Sequence, residues 1–149
     1  METDASGMEV LGRAESIALL GTQEVGRLVY TRRALPAVVP VNYAVRGGAI
    51  LVWTGSVSSL AQAVRGSVVA FEVDELDRAA HSGWSVTVTA AAGLVTGEAE
   101  LAKARVDGPV PWAPGIKEYL IRIPLTMVTG RRLGSRTCDV NAPRSARAN

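Results

Sequence analysis

Along most of this chain apolar and polar residues alternate with a period of two, the spacing of strands that bury one face. VGRLVYTR (25–32) sets Val25, Arg27 and Val29 on one face against Leu28 and Tyr30 on the other. LPAVVPVNYAVR (35–46) continues as a second strand in which Pro36 and Pro40 have no N–H to give to a ladder. It is therefore expected to be an edge, or to bulge near Pro40. Arg46-Gly47-Gly48-Ala49 predicts a hairpin turn, and AILVWT (49–54) returns as the third strand. SVVAFEVDE (67–75), WSVTVTAAAGLVTGE (84–98, kinked near Gly93), KEYLIRIPL (117–125) and TMVTGRRL (126–133) complete the strands. Helical spacing is confined to three short pieces. RAESIALLG (13–21) is capped by Gly21, EAELAKAR is a weak helix, and Val57, Leu60, Ala61 and Val64 share a face between an N-cap at Ser56 and a stop at Gly66. Neighbouring strands joined by turns, without regular strand–helix alternation, predict a mostly antiparallel β-barrel with small helices.

Composition agrees: twenty valines and ten threonines stand against seven aromatic residues. Residues 1–12 read as a disordered N-terminus, 13–133 as a single domain, and 134–149 as a flexible basic tail. No run of eighteen apolar residues occurs, so no membrane partner is expected. The acidic N-terminus METDASGMEV lacks the pattern of a signal peptide, and the single Cys138 permits no disulfide within the chain. Both place the protein in the cytoplasm. The pI of about 9.0 arises in the tail, where Arg136, Arg144 and Arg147 outnumber Asp139. The remaining body is neutral and has no footprint for a phosphate backbone, so no nucleic-acid partner is expected.

Side-chain chemistry is sparse. One histidine, His81, in a polar loop, and one cysteine, in the tail, make neither a metal site nor a nucleophilic triad. No Walker sequence and no GxGxxG after a strand is present. No catalytic side chain is assigned. Two stretches suit a ligand. Trp53-Thr54-Gly55 runs into Ser56-Val57-Ser58-Ser59, where a helix start offers N–H groups and hydroxyls to an anion, with Arg65 available from a neighbouring subunit; the commoner use of this local pattern is Ser56 as a cap with the other serines solvated. In PAVVPVNY (36–43), Pro40 leaves backbone near Val41 and Asn42 free for a planar heterocycle, or simply blunts an edge. Trp53, Trp84 and Trp112 are either an aromatic platform or core.

The succession EVGRLVYT, LPAVVPVNY, AILVWTG, SLAQAVRGSVVAFEVDELD, GWSVTVT, PWAPG and YLIRIPLTMVTGRRL resembles the flavin-binding split-barrel family, and within it the small pyridoxamine-phosphate-oxidase-like branch. The resemblance runs from Val25 to Leu133. It implies a six-stranded antiparallel split β-barrel, a homodimer, and FMN at the subunit interface, with a deazaflavin or haem as variants. By the same analogy Val41, Asn42 and Tyr43 contact the flavin ring. Trp53, Thr54, Ser58, Ser59 and Leu60 lie near the ribityl phosphate, and Trp84, Ser85, Trp112 and Arg131 or Arg132 close the site. Two positions depart from the family pattern. Ser59 stands where a phosphate-binding lysine is usual, and Ala90-Ala91-Ala92 replaces a glycine, adding methyl groups beside the expected cofactor. The implied activity is hydride transfer between flavin and a small organic substrate. The alternative is a non-enzymatic dimer that holds flavin or another small ligand weakly.

Overall fold

A computed structural model describes residues 1–55 and 59–134, with Ser59 described in its backbone alone. The described residues form ten strands: β1 (Glu9–Leu11), β2 (Val25–Arg32), β3 (Leu35–Asn42), β4 (Ala44–Arg46), β5 (Ala49–Thr54), β6 (Val68–Asp77), β7 (Ser82–Ala91), β8 (Gly93–Val95), β9 (Tyr119–Pro124) and β10 (Met127–Leu133). Three helices join them: α1 (Arg13–Leu20), α2 (Ser59–Val64) and α3 (Glu98–Asp107). The strands form two sheets, six-stranded in the order β1-β10-β7-β6-β2-β3 and four-stranded in the order β4-β5-β9-β8. Every pairing between them is antiparallel. This is the mostly β, antiparallel split barrel expected.

The two longest expected strands each divide, and the divisions make the barrel. At Tyr43 the chain leaves the large sheet at β3 and enters the small one at β4; at Ala92 it does the same between β7 and β8. Between the sheets lies one core holding Leu20, Leu28, Ile50, Phe71, Val86, Val88, Ile121 and Ile123, all fully buried. Each such side chain contributes roughly 1.5–3 kcal/mol. Gly26 on β2 has no side chain because the Phe71 ring fills its place: a Cβ there would lie 2.3 Å from Phe71 Cζ.

Two expectations change, and of the two alternatives at Pro40 the edge strand holds. Residues 9–11, placed in a disordered N-terminus, form β1 on the outer edge of β10, with Leu11 buried. Asp4 caps the preceding turn through the Ser6 and Met8 N–H groups, so the segment is tied down locally as well. Pro40 neither bulges nor interrupts β3, whose register with β2 runs unbroken from Val25–Asn42 to Arg32–Leu35. Both prolines are accommodated because β3 is the terminal strand of its sheet. The methyl groups of Ala90 and Ala92 pack into the core. The basic tail and the cap at Ser56 lie outside the described residues, as does Ser58.

No helix among the described residues is long and apolar enough to cross a membrane.

Candidate functional site

β3 pairs on one side only, so its outward N–H and C=O groups have no ladder partner. They face a cavity of about 610 Å³ between β3, the end of β5 and the segment 108–118 that leads into β9. That volume lies in the range of small-molecule sites. Val39, Pro40 and Val41 form the β3 wall, Trp53 and Thr54 the β5 wall, and Pro111, Pro114 and Ile116 the wall opposite. Trp53 belongs to a small apolar cluster with Leu120 and Ala104, while Thr54 is buried at the strand's end. Gly55 follows, and a Cβ there would meet the Ile116 carbonyl at 3.2 Å. The 108–118 segment therefore closes tightly against β5, and a side chain at position 55 would press on it.

The structure gathers five of the expected residues on this cavity: Val41, Asn42, Trp53, Thr54 and Leu60. Trp112 comes beside them by its backbone, whose N–H donates to Asn42 Oδ1 at 2.8 Å, while its indole is 68% exposed. Asn42 thus spends its amide as a strut, its Nδ2 also donating to the Glu24 carbonyl at 3.4 Å. Tyr43, expected against the flavin ring, instead turns into the core. Its ring meets Phe71 edge-on at 5.0 Å and its hydroxyl donates to the Leu20 carbonyl. Burial pushes that hydroxyl's pKa well above the usual range, so Tyr43 is no acid or base near neutrality.

Four expected residues lie elsewhere in the chain. Trp84 is buried on β7, its indole Nε1 donating to Glu75 Oε2 at 3.3 Å. Ser85 stands opposite Asp74 on one side and Arg131 on the other. Arg131 pairs with Asp4 at 3.3 Å, and Arg132 pairs with Glu15 at 2.7 Å and Glu9 at 3.6 Å. These arginines brace the N-terminal segment and α1 against β10. Ser58 is outside the described residues, and nothing is said of the Ser59 side chain.

Sequence reasoning missed Lys117. It lines the cavity, half-buried, and its Nζ donates to the Pro114 carbonyl at 3.2 Å. Glu118 beside it is the one acidic side chain on the described lining. Behind the cavity the Arg105 guanidinium stacks on the Trp53 ring, 4.5 Å from its centroid. A charged residue in an aperiodic loop carries no pattern by which to be found; only the path of the loop brings Lys117 to the wall.

An antiparallel split barrel whose free sheet edge faces an apolar cavity defines a protein of the flavin-binding split-barrel class. The comparisons make the assignment specific: a family model described as pyridoxamine 5'-phosphate oxidase matches residues 12–132, and the chain belongs to that family. It is 37% identical over 128 residues to an uncharacterized protein of Mycobacterium tuberculosis, covering 83% of this chain and 84% of that protein. The structure of the FAD binding protein from Mycobacterium smegmatis is 33% identical, with a TM-score of 0.69 over 83% of this chain and 95% of that one. A FAD-binding protein from Mesorhizobium loti shares the fold at 21% identity, with a TM-score of 0.72 over 85% of this chain and 99% of that one.

Proposed function

We propose that this chain binds a flavin nucleotide, FMN or FAD, in the cavity beside β3, and serves as an oxidoreductase acting on a small organic substrate. The observation that carries this reading is the unpaired outer edge of β3 facing an apolar cavity in a member of this family. The 33%-identical relative described as FAD-binding supports it. When bound, the flavin supplies hydride exchange at its ring.

The residues fit that group. A flat heterocycle needs donors and acceptors at its rim and apolar contact on its faces. The β3 backbone at Val39 to Val41 offers the first; Trp53, Ile116, Pro111 and Pro114 offer the second. Lys117 and Glu118 are the only ionisable side chains of the described lining. In this reading the lining orients the ligand and excludes water. The same scarcity favours a second reading, a flavin-holding protein without turnover.

A homodimer is part of the proposal. Leu35 and Val38 on β3, and Val110, Trp112 and Ile116 on the cavity wall, are exposed apolar side chains that a second copy would cover. Trp84, Ser85, Arg131 and Arg132 would then reach a shared site only from the partner subunit.

Absorption spectroscopy of the natively purified protein tests the function. A flavin spectrum, bleached by a substrate or reductant and restored by air, is the expected result, and the mass of the released cofactor separates FMN from FAD. Colourless protein that takes up neither nucleotide overturns the reading. Bound flavin that no candidate substrate reduces favours the holding role.

A further inference from the structure

The cavity beside β3 adjoins a smaller one of about 380 Å³, and Trp53 and Lys117 stand in the wall of both. The smaller cavity differs in charge. Lys117 and Arg105 line it, and no acidic side chain does so among the described residues; Glu118 belongs to the larger cavity alone. Neither cation is spent on an ion pair with a described residue. Lys117 has a neutral partner, the Pro114 carbonyl, which leaves two of its three ammonium donors for a ligand. The Arg105 guanidinium sits over the Trp53 ring, held there by the ring face rather than by a carboxylate.

We propose that Lys117, assisted by Arg105, seats the phosphoryl end of the flavin, with the ring in the larger cavity and the phosphate turned toward the smaller. The assignment rests on the flavin reading above and adds to it the residues that select a phosphorylated flavin over riboflavin. The division of charge supports this orientation: an uncharged ring sits where Lys117 and Glu118 balance, and an anion sits where two cations stand without an acid. It also supplies a cation that Ser59 does not.

The test is the affinity of the full chain for riboflavin, FMN and FAD, read by quenching of flavin fluorescence, in wild type and in Lys117→Met, Lys117→Arg and Arg105→Gln. A charge-assisted hydrogen bond to phosphate predicts that Lys117→Met weakens FMN and FAD about ten- to a hundredfold and moves riboflavin by less than about twofold. Lys117→Arg restores the preference for phosphate. Arg105→Gln gives a smaller loss in the same direction, and both losses shrink as salt rises. Equal losses for FMN and FAD assign the first phosphate to Lys117, whereas a larger loss for FAD assigns the pyrophosphate; either supports the proposal. Lys117→Met that weakens riboflavin as much as FMN, or weakens neither, overturns the assignment while leaving flavin binding intact. Wild-type protein that binds none of the three overturns the flavin reading itself, and this assignment with it.

Discussion

Replacing Asn42 with alanine separates two accounts of how this residue serves the site. Asn42 ends β3, and its Oδ1 accepts from the Trp112 N–H, joining positions seventy residues apart. Among the described residues this is the one hydrogen bond that ties residues 109–117 to another element. Its second bond, to the Glu24 carbonyl, is long at 3.4 Å and contributes less. A neutral hydrogen bond is worth about 0.5–1.5 kcal/mol net. Trp112 is exposed, so water replaces the lost acceptor and the low half of that range applies. The melting temperature should then fall by only about 1–3 °C. The cavity wall, however, loses its tether, and flavin must restore the order that Asn42 had maintained. Affinity should fall by roughly two- to fivefold, the same free energy read as a binding constant.

Two assays run together decide the matter: flavin titration, and limited proteolysis within residues 109–117. The strut account expects weaker binding and faster cleavage in Asn42→Ala, with both largely restored in Asn42→Asp, which keeps the acceptor for the Trp112 N–H. Unchanged affinity with unchanged cleavage refutes it. Weaker binding without faster cleavage returns Asn42 to direct contact with the ligand, the role implied by family resemblance.

Tyr43→Phe removes the hydroxyl that satisfies the buried Leu20 carbonyl, and should cost about 1–3 kcal/mol in thermal or denaturant unfolding while leaving flavin affinity within about twofold; a tenfold loss of affinity would return Tyr43 to the binding surface. Gly26→Ala drives a methyl into the Phe71 ring and should destabilise by about 1–3 kcal/mol; Phe71→Leu in the same chain should recover part of that loss, and strict additivity would show that the two do not collide. Glu72 has its carboxyl pKa raised by burial, then by the neighbouring Asp74, against the opposing pull of Arg27. The folded state therefore holds this proton more tightly than the unfolded chain, and ionisation removes stability as pH rises above the ordinary value of 4.5. Glu72→Gln should melt higher than wild type at neutral pH, with the gap closing as pH falls below that value; a lower melting temperature at neutral pH refutes the sign.

The strands were legible because a half-buried strand writes its burial into every second residue. β2 and β5 lie where alternation placed them, and β7 buries Trp84, Val86, Val88 and Ala90 in strict alternation. What alternation does not record is the sheet a strand joins. Tyr43 and Ala92 interrupt apolar runs that read as continuous, because β3 and β4, or β7 and β8, carry compatible patterns on either side of the crossing. β1 was invisible for a related reason. Three residues are too few to show a period, and their partner β10 lies more than a hundred positions away.

The site divides along the same line. Val41, Asn42, Trp53, Thr54 and Leu60 sit on or beside regular elements, and the order of those elements was enough to bring them to one cavity. Lys117 became visible only through the path of the loop between α3 and β9, and Arg105 only through the packing of the end of α3 over Trp53. Their case has a physical basis rather than a statistical one. A phosphate needs positive potential within a few ångströms but not a particular backbone position, since a long flexible ammonium or guanidinium reaches it from several places. Loss of a cation at Ser59 and gain of one at Lys117 can therefore offset each other without altering a single strand. Contacts to the ring allow no such exchange, because backbone donors on β3 are positioned by the register with β2. Ring recognition should therefore track the sheet, and phosphate recognition the loop. A chimera carrying the 108–118 segment of a relative would be expected to change the preference among riboflavin, FMN and FAD while leaving affinity for the ring unchanged.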